Sequence, residues 1–169
     1  RMTWCMQFRG PFAEKRGNWI MFQEKTGGVF VEKTCHYFDL MTWLVDSTPK
    51  SVSAVAGQDV IKEIYGVKPD IFDNGWVMID YENGARGMLG LCMFGGGRKP
   101  VSVSVIGDEG QVEGYYQSQK IEYSKRGEPT AEIDTGKDND YAHLSHGGGI
   151  YFEHQAFIDN IRNNRTPLT

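Results

Sequence analysis

Hydrophobic and polar residues along the chain change rhythm several times. Residues 1–8 alternate loosely between apolar and polar, with aromatic and sulfur side chains, which is the pattern of a half-buried strand. Gly10-Pro11 ends it, and residues 13–26 read as a polar loop anchored by Trp19, Ile20 and Phe22. After the break at Gly27-Gly28, Tyr37, Leu40, Met41 and Leu44 recur at i, i+3, i+4 and i+7. That spacing predicts one amphipathic helix over residues 32–46, stopped by Ser47-Thr48-Pro49.

From there the period becomes two. Strands are expected at residues 52–56, at 76–81 and at 86–94, the last two joined by Asn83-Gly84, a strong hairpin signal. Gly95-Gly96-Gly97 reads as a hinge or hairpin loop between strands. Val101, Val103 and Val105 alternate with Ser102 and Ser104, which predicts one buried and one polar face. Asp108-Glu109-Gly110 is a turn, and short strands follow at residues 111–116, 120–123 and 131–133. A polar loop over 135–148, with His143 and His146, leads to a last helix. Its Ile150, His154, Phe157, Ile158 and Ile161 share a face, and Asn163, Asn164 and Pro167 end it. The order strand, helix, many strands, helix predicts an α+β fold: an open, largely antiparallel sheet with helices packed on one face.

Composition narrows the function classes. A hydrophobic share of 40%, with 12% aromatic, supplies a core and excludes a disordered chain of 169 residues. The net charge of −4 with scattered Lys and Arg argues against a nucleic-acid partner, which needs clustered cations. No apolar run is long enough to cross a membrane as a helix. Cys5, Cys35 and Cys92 lie far apart without a CxxC spacing, so free thiols in a reducing, cytoplasmic compartment are expected. The chain opens on Arg1 in mid-strand, as if it began inside a larger protein.

A dinucleotide-binding domain would carry Gly-x-Gly-x-x-Gly between a strand and a helix, and these 169 residues lack it. Gly95-Gly96-Gly97 sits between strands, with no helix N-terminus to receive a phosphate. The segment with chemistry to offer is Gly27-Gly28 through Asp39. On a continuous helix Glu32, His36 and Asp39 would fall within a narrow arc beside the apolar stripe. A carboxylate four residues from a histidine can fix its tautomer and raise its basicity, and histidine is the natural acid/base near neutral pH. The same three residues also fit a solvated helix face. A metal site is a further alternative, with Glu32, His36 and a third ligand from His143 or His146.

This segment resembles the Gfo/Idh/MocA oxidoreductases, the family of glucose-fructose oxidoreductase and inositol dehydrogenase. The family's second domain has a Gly-Gly run and then Asp-x-Gly-x-His-x-x-Asp; here Gly27-Gly28 precedes Glu32-Lys33-Thr34-Cys35-His36-Tyr37-Phe38-Asp39. Glu32 replaces the family's Asp and Thr34 its Gly, so the reach of the acid differs. Arg9-Gly10-Pro11-Phe12 with Gly17-Asn18-Trp19, Tyr81-Glu82-Asn83-Gly84-Ala85, Val105-Ile106-Gly107-Asp108-Glu109-Gly110 and Phe157-Ile158-Asp159-Asn160-Ile161 resemble further family segments in the family's order.

The resemblance implies a glyceraldehyde-3-phosphate dehydrogenase-like C-terminal domain over residues 1–169. The Rossmann domain, with its Glu-Lys-Pro motif and catalytic lysine, would belong to the rest of the parent protein. It implies NAD or NADP there, a sugar or polyol substrate and a homo-oligomer built on the free sheet face. It implies His36 as proton acceptor, Glu32 as its orienter or a substrate contact, and Arg9, Lys33, Asp39 and His146 as hydroxyl-binding residues. Trp43, on the same side as His36, is expected to pack and not to serve as a sugar platform. A non-catalytic module that associates through its sheet stands as the alternative function.

Overall fold

The structure is a computed structural model that describes residues 1–8, 16–95, 101–115 and 118–166. Eight strands form one sheet: β1 (Met2–Phe8), β2 (Pro49–Gly57), β3 (Asn74–Tyr81), β4 (Arg86–Cys92), β5 (Val101–Ile106), β6 (Gly110–Tyr115), β7 (Lys120–Lys125) and β8 (Ala131–Asp134). Their order is β2-β3-β4-β1-β5-β6-β7-β8. β1 runs parallel to β4, and every other neighbouring pair is antiparallel. The open, largely antiparallel α+β sheet expected from the pattern is therefore present.

Helices cover one face of the inner strands. A 3₁₀ turn (Arg16–Met21) leads into α1 (Gln23–Thr26), α2 (Val29–Glu32) and α3 (Cys35–Val45). The stretch read as a polar loop is thus helical where it meets the core, because Ile20 and Met21 are fully buried with Val29, Ile71, Leu91 and Met93. Register places Cys5 beside Leu89 and Val103, and Leu89 beside Val77, on this covered face. Met41 of α3 packs against Cys5, Leu89 and Val101. Each such fully buried aliphatic side chain contributes about 1.5–3 kcal/mol over exposure.

The single helix expected over 32–46 is interrupted. The Thr34 hydroxyl donates to the Phe30 carbonyl at 2.7 Å, and the Thr34 amide reaches back to Val29 at 3.2 Å. Lys33 leaves helical geometry (φ −120°), and α3 restarts with Tyr37 and Phe38 donating to the Thr34 carbonyl. A side-chain hydroxyl competing for the preceding turn's carbonyl is enough to break so short a ladder.

The other sheet face carries no helix among the described residues. Trp4 lies beside Met88, and Met88 beside Met78, across β1, β4 and β3. Gly90 has no Cβ because Trp76 and Met6 occupy the space above it. The polar face expected on β5 is a correction: Ser102 and Ser104 are buried, since β5 runs between β1 and β6 with Trp4 opposite Ser104. Gly96, Gly97 and Pro167 lie outside the described residues, and the expected hinge with them.

The 57–73 connection is held by one carboxylate. Asp73 is buried and accepts from the backbone amides of Asp59 (3.0 Å), Val60 (2.8 Å) and Ile61 (2.6 Å) and from the Asn74 amide (2.8 Å). Burial by itself would raise this carboxyl. The hydrogen bonds from Ile61, Asp59, Asn74 and Val60 outweigh that and hold it below the usual carboxylate range.

Candidate active site

α3 ends at the β3–β4 turn, where Asn83 donates from its side chain to the Val45 carbonyl (3.0 Å) and from its backbone to Ser47 (3.1 Å). The helix therefore runs back along the sheet, and its 11 residues place its first turn about 16 Å away, at the opposite strand ends. Register identifies that end. It is where Phe8 meets Cys92, Gln7 meets Val101 and Ser102 meets Tyr115.

His36 stands there, exposed on the first turn of α3. Glu32 does not share its helix, because it closes α2 on the far side of the Lys33–Thr34 break. The common arc of Glu32, His36 and Asp39 is thus corrected: only His36 and Asp39 lie on one helix. One Glu32 oxygen pairs with Lys33 Nζ at 2.8 Å, and the other is buried without a partner. An unpaired buried carboxylate oxygen costs about 1–3 kcal/mol.

Asp39 is exposed and borders an open groove of about 680 Å³ with Trp43 and Asp46. Trp43 was expected to pack, yet it is 72% exposed, because α3 turns that side away from the sheet. Arg9 lies outside the described residues. Among the described residues no three His, Cys, Asp or Glu side chains come together to hold a metal.

A second group gathers at the same strand ends. A cavity of about 560 Å³ opens between the ends of β6, β7 and β8 and the loop before α4 (Gly149–Arg162). Tyr115, Gln119, Thr135, Asn139, Ser145 and His146 line it. Of these only His146 was singled out from the sequence. The others come from separate turns, and no spacing links them. The Tyr115 hydroxyl is pushed up to about 12, chiefly by its hydrogen bond to Glu113 and then by burial.

The glycine-rich steps fit no dinucleotide cradle. β4 leads through Gly95 to another strand, and the described residues contain no strand–glycine turn–helix unit. They also include no helix long and apolar enough to cross a membrane.

The model of the oxidoreductase family's C-terminal alpha/beta domain matches residues 3–169. The chain belongs to the Gfo/Idh/MocA oxidoreductase family. No curated protein matches this oxidoreductase domain by sequence. Solved structures match it closely in fold. The oxidoreductase domain protein of Kribbella flavida superposes with a TM-score of 0.81 at 16% identity, over 99% of this chain and 50% of that one. Levoglucosan dehydrogenase, solved with NADH and levoglucosan, gives 0.81 at 17%, over 97% of this chain and 50% of the other. An inositol dehydrogenase homolog from Azotobacter vinelandii, solved with NAD+, gives 0.68 at 18%, over 82% and 37%. The domain spans half the length of these proteins or less.

Proposed function

We propose that this domain supplies the proton-transfer and substrate-binding half of an NAD(P)-dependent dehydrogenase acting on a CH–OH group of a sugar or polyol. The supporting observation is the junction of α2 and α3: an exposed His36, four residues from a Glu32 carboxylate that is paired with Lys33. The levoglucosan and inositol enzymes among the fold relatives support the substrate class. A separate Rossmann domain of the parent protein holds the dinucleotide. NAD or NADP bound there supplies the hydride acceptor.

The roles follow from the chemistry of each group. His36 takes the hydroxyl proton as the substrate carbon gives up hydride, so the alcohol becomes a carbonyl. Glu32 orients His36 or contacts the substrate, while Lys33 pairs with one of its oxygens. Arg9, Asp39 and His146 complete the hydroxyl-binding set. The parent works in the cytoplasm, where Cys5, Cys35 and Cys92 stay reduced, and serves carbohydrate metabolism.

The same domain is the oligomerisation module. Trp76 (44% exposed), Met78 (57%) and Met88 (40%) form an apolar stripe on the uncovered sheet face, and Met78 and Met88 line a groove of about 380 Å³. Such a contiguous apolar patch is an association site, and a second copy of the sheet matches it. Without its partner domain the chain acts as this association module alone.

The test uses the full-length parent with a panel of sugars and polyols and both nicotinamide cofactors. Turnover is expected, and His36→Ala lowers kcat by about two to four orders of magnitude. Unchanged turnover in that variant removes His36 from the chemistry.

A further inference from the structure

The sheet has two edges, β2 and β8, and they are built differently. β8 is four residues long and carries Glu132 and Asp134. Short length and charge keep an edge strand from pairing with another chain. β2 lacks both devices over most of its length. It is nine residues long, its first eight residues are all exposed, and residues 51–57 hold no charged side chain.

The free stretch has defined ends. A register shift between Pro49 and Ser51 breaks the ladder at its start, where Lys50 stands. At its other end the Gly57 carbonyl accepts from the Asp73 amide at 2.9 Å. Between these points β3 uses one side of the β2 backbone, and among the described residues no backbone hydrogen bond engages the other. Such a row of open amides and carbonyls is a template for one more strand.

Its side chains suit a copy of itself. Antiparallel pairing about a two-fold axis at Ala54 overlaps the whole of residues 51–57. Val52 then meets the second copy's Ala56, Ser53 meets its Val55, and Ala54 meets its own counterpart. No like charges oppose each other in that register, and branched side chains face small ones. A foreign strand would not require the segment to be self-complementary about its midpoint; a second copy does.

Apolar burial adds to the backbone bonds. Val52, Ala54 and Ala56 line a groove of about 350 Å³ with Val31 and Phe72, and its whole lining is apolar or glycine. Val31, Val52 and Phe72 are exposed there. A strand added to β2 lays its own Val52 and Ala54 beside them and removes that surface from water.

We infer that β2 is a second self-association site, at which two copies of this protein join their sheets edge to edge in antiparallel register about Ala54. This edge is distinct from the sheet face that carries Trp76 and Met88, and the pairing holds whether or not that face associates.

The experiment uses the full-length parent carrying Trp76→Ala, so that the sheet face is weakened and the edge is read by itself. Sedimentation over a range of concentrations shows a reversible dimer. Ala54→Lys sets two ammonium groups opposite each other across the axis and raises the dissociation constant about tenfold or more. Ala54→Cys forms an intermolecular disulfide under mild oxidation, because directly opposed residues come within bridging reach; Lys50→Cys, equally exposed but off the axis, does not. A monomer at every concentration overturns the inference, as do open-ended aggregates in place of a dimer. So does an unchanged dissociation constant in Ala54→Lys, or cross-linking no greater at residue 54 than at residue 50. Slow hydrogen exchange of the residue 52–56 amides at every dilution would show that another segment of the parent covers the edge, and overturns it too.

Discussion

The inner strands β3, β4 and β1 and the outer strands β6–β8 with α4 use similar side chains to different ends. Among the described residues, every buried hydrophobic side chain lies at or before Val101. β3 alternates strictly between buried and exposed because α2 and α3 cover one of its faces. In the outer half Val112, Tyr123 and Ile133 are 47%, 42% and 49% exposed. α4 buries none of its residues, and Phe157 and Ile161 stand 60% and 65% exposed. Ile150, His154, Phe157, Ile158 and Ile161, expected to share one helix face, all lie in α4 and all are exposed. An apolar stripe shows what a helix or strand can bury, and a partner surface decides whether it does.

Substitutions can break that contrast, and the largest effect belongs to the inner half. Leu89→Ala removes a fully buried side chain between α3 and the sheet and costs about 2–5 kcal/mol in urea unfolding. A cost near zero would mean that the inner half is as loosely packed as the outer.

Next comes the carboxylate that staples the 57–73 connection. Its pKa is lower folded than unfolded, so its contribution is fully present above the unfolded value, about 3.9. It disappears as pH falls through the folded value. The thermal midpoint should therefore drop below about pH 4, and Asp73→Asn should cost about 1–3 kcal/mol at neutral pH while flattening that acid limb. An unchanged acid limb in the variant would place the sensitivity elsewhere.

On the uncovered sheet face, Trp76→Ala should weaken self-association by more than about 1 kcal/mol, read by sedimentation as a several-fold rise in the dissociation constant. Unaltered association assigns the interface to another surface. The smallest effect sharpens the contrast from the other side. Ile161→Ser should change the stability of this chain by no more than about 0.5 kcal/mol. A larger loss would show that α4 is packed in solution.

Much of this was legible from the chain. Alternation at Val77, Ile79 and Tyr81, with Asn83-Gly84 after them, places β3, its turn and β4 without ambiguity. The Glu32-to-Asp39 segment located the candidate acid/base. It misplaced Glu32 because the Thr34 hydroxyl bond to Phe30 is a local competition that hydrophobic spacing does not register. Of the Gln119–His146 cavity only His146 was singled out from the sequence, since its walls come from the ends of three strands and the loop after β8.

The sequence by itself determined the strands, the last helix, the hairpin, the antiparallel character and the segment that carries the histidine. All of these follow from periods and turn residues within a few positions of one another. Tertiary structure decided which apolar faces are covered, why Ser102 and Ser104 are buried, and that His36 and His146 share one end of the sheet. Those depend on which strand lies beside which. The parallel pairing of β1 with β4 brings residues more than 80 positions apart into register, and no local pattern encodes that choice.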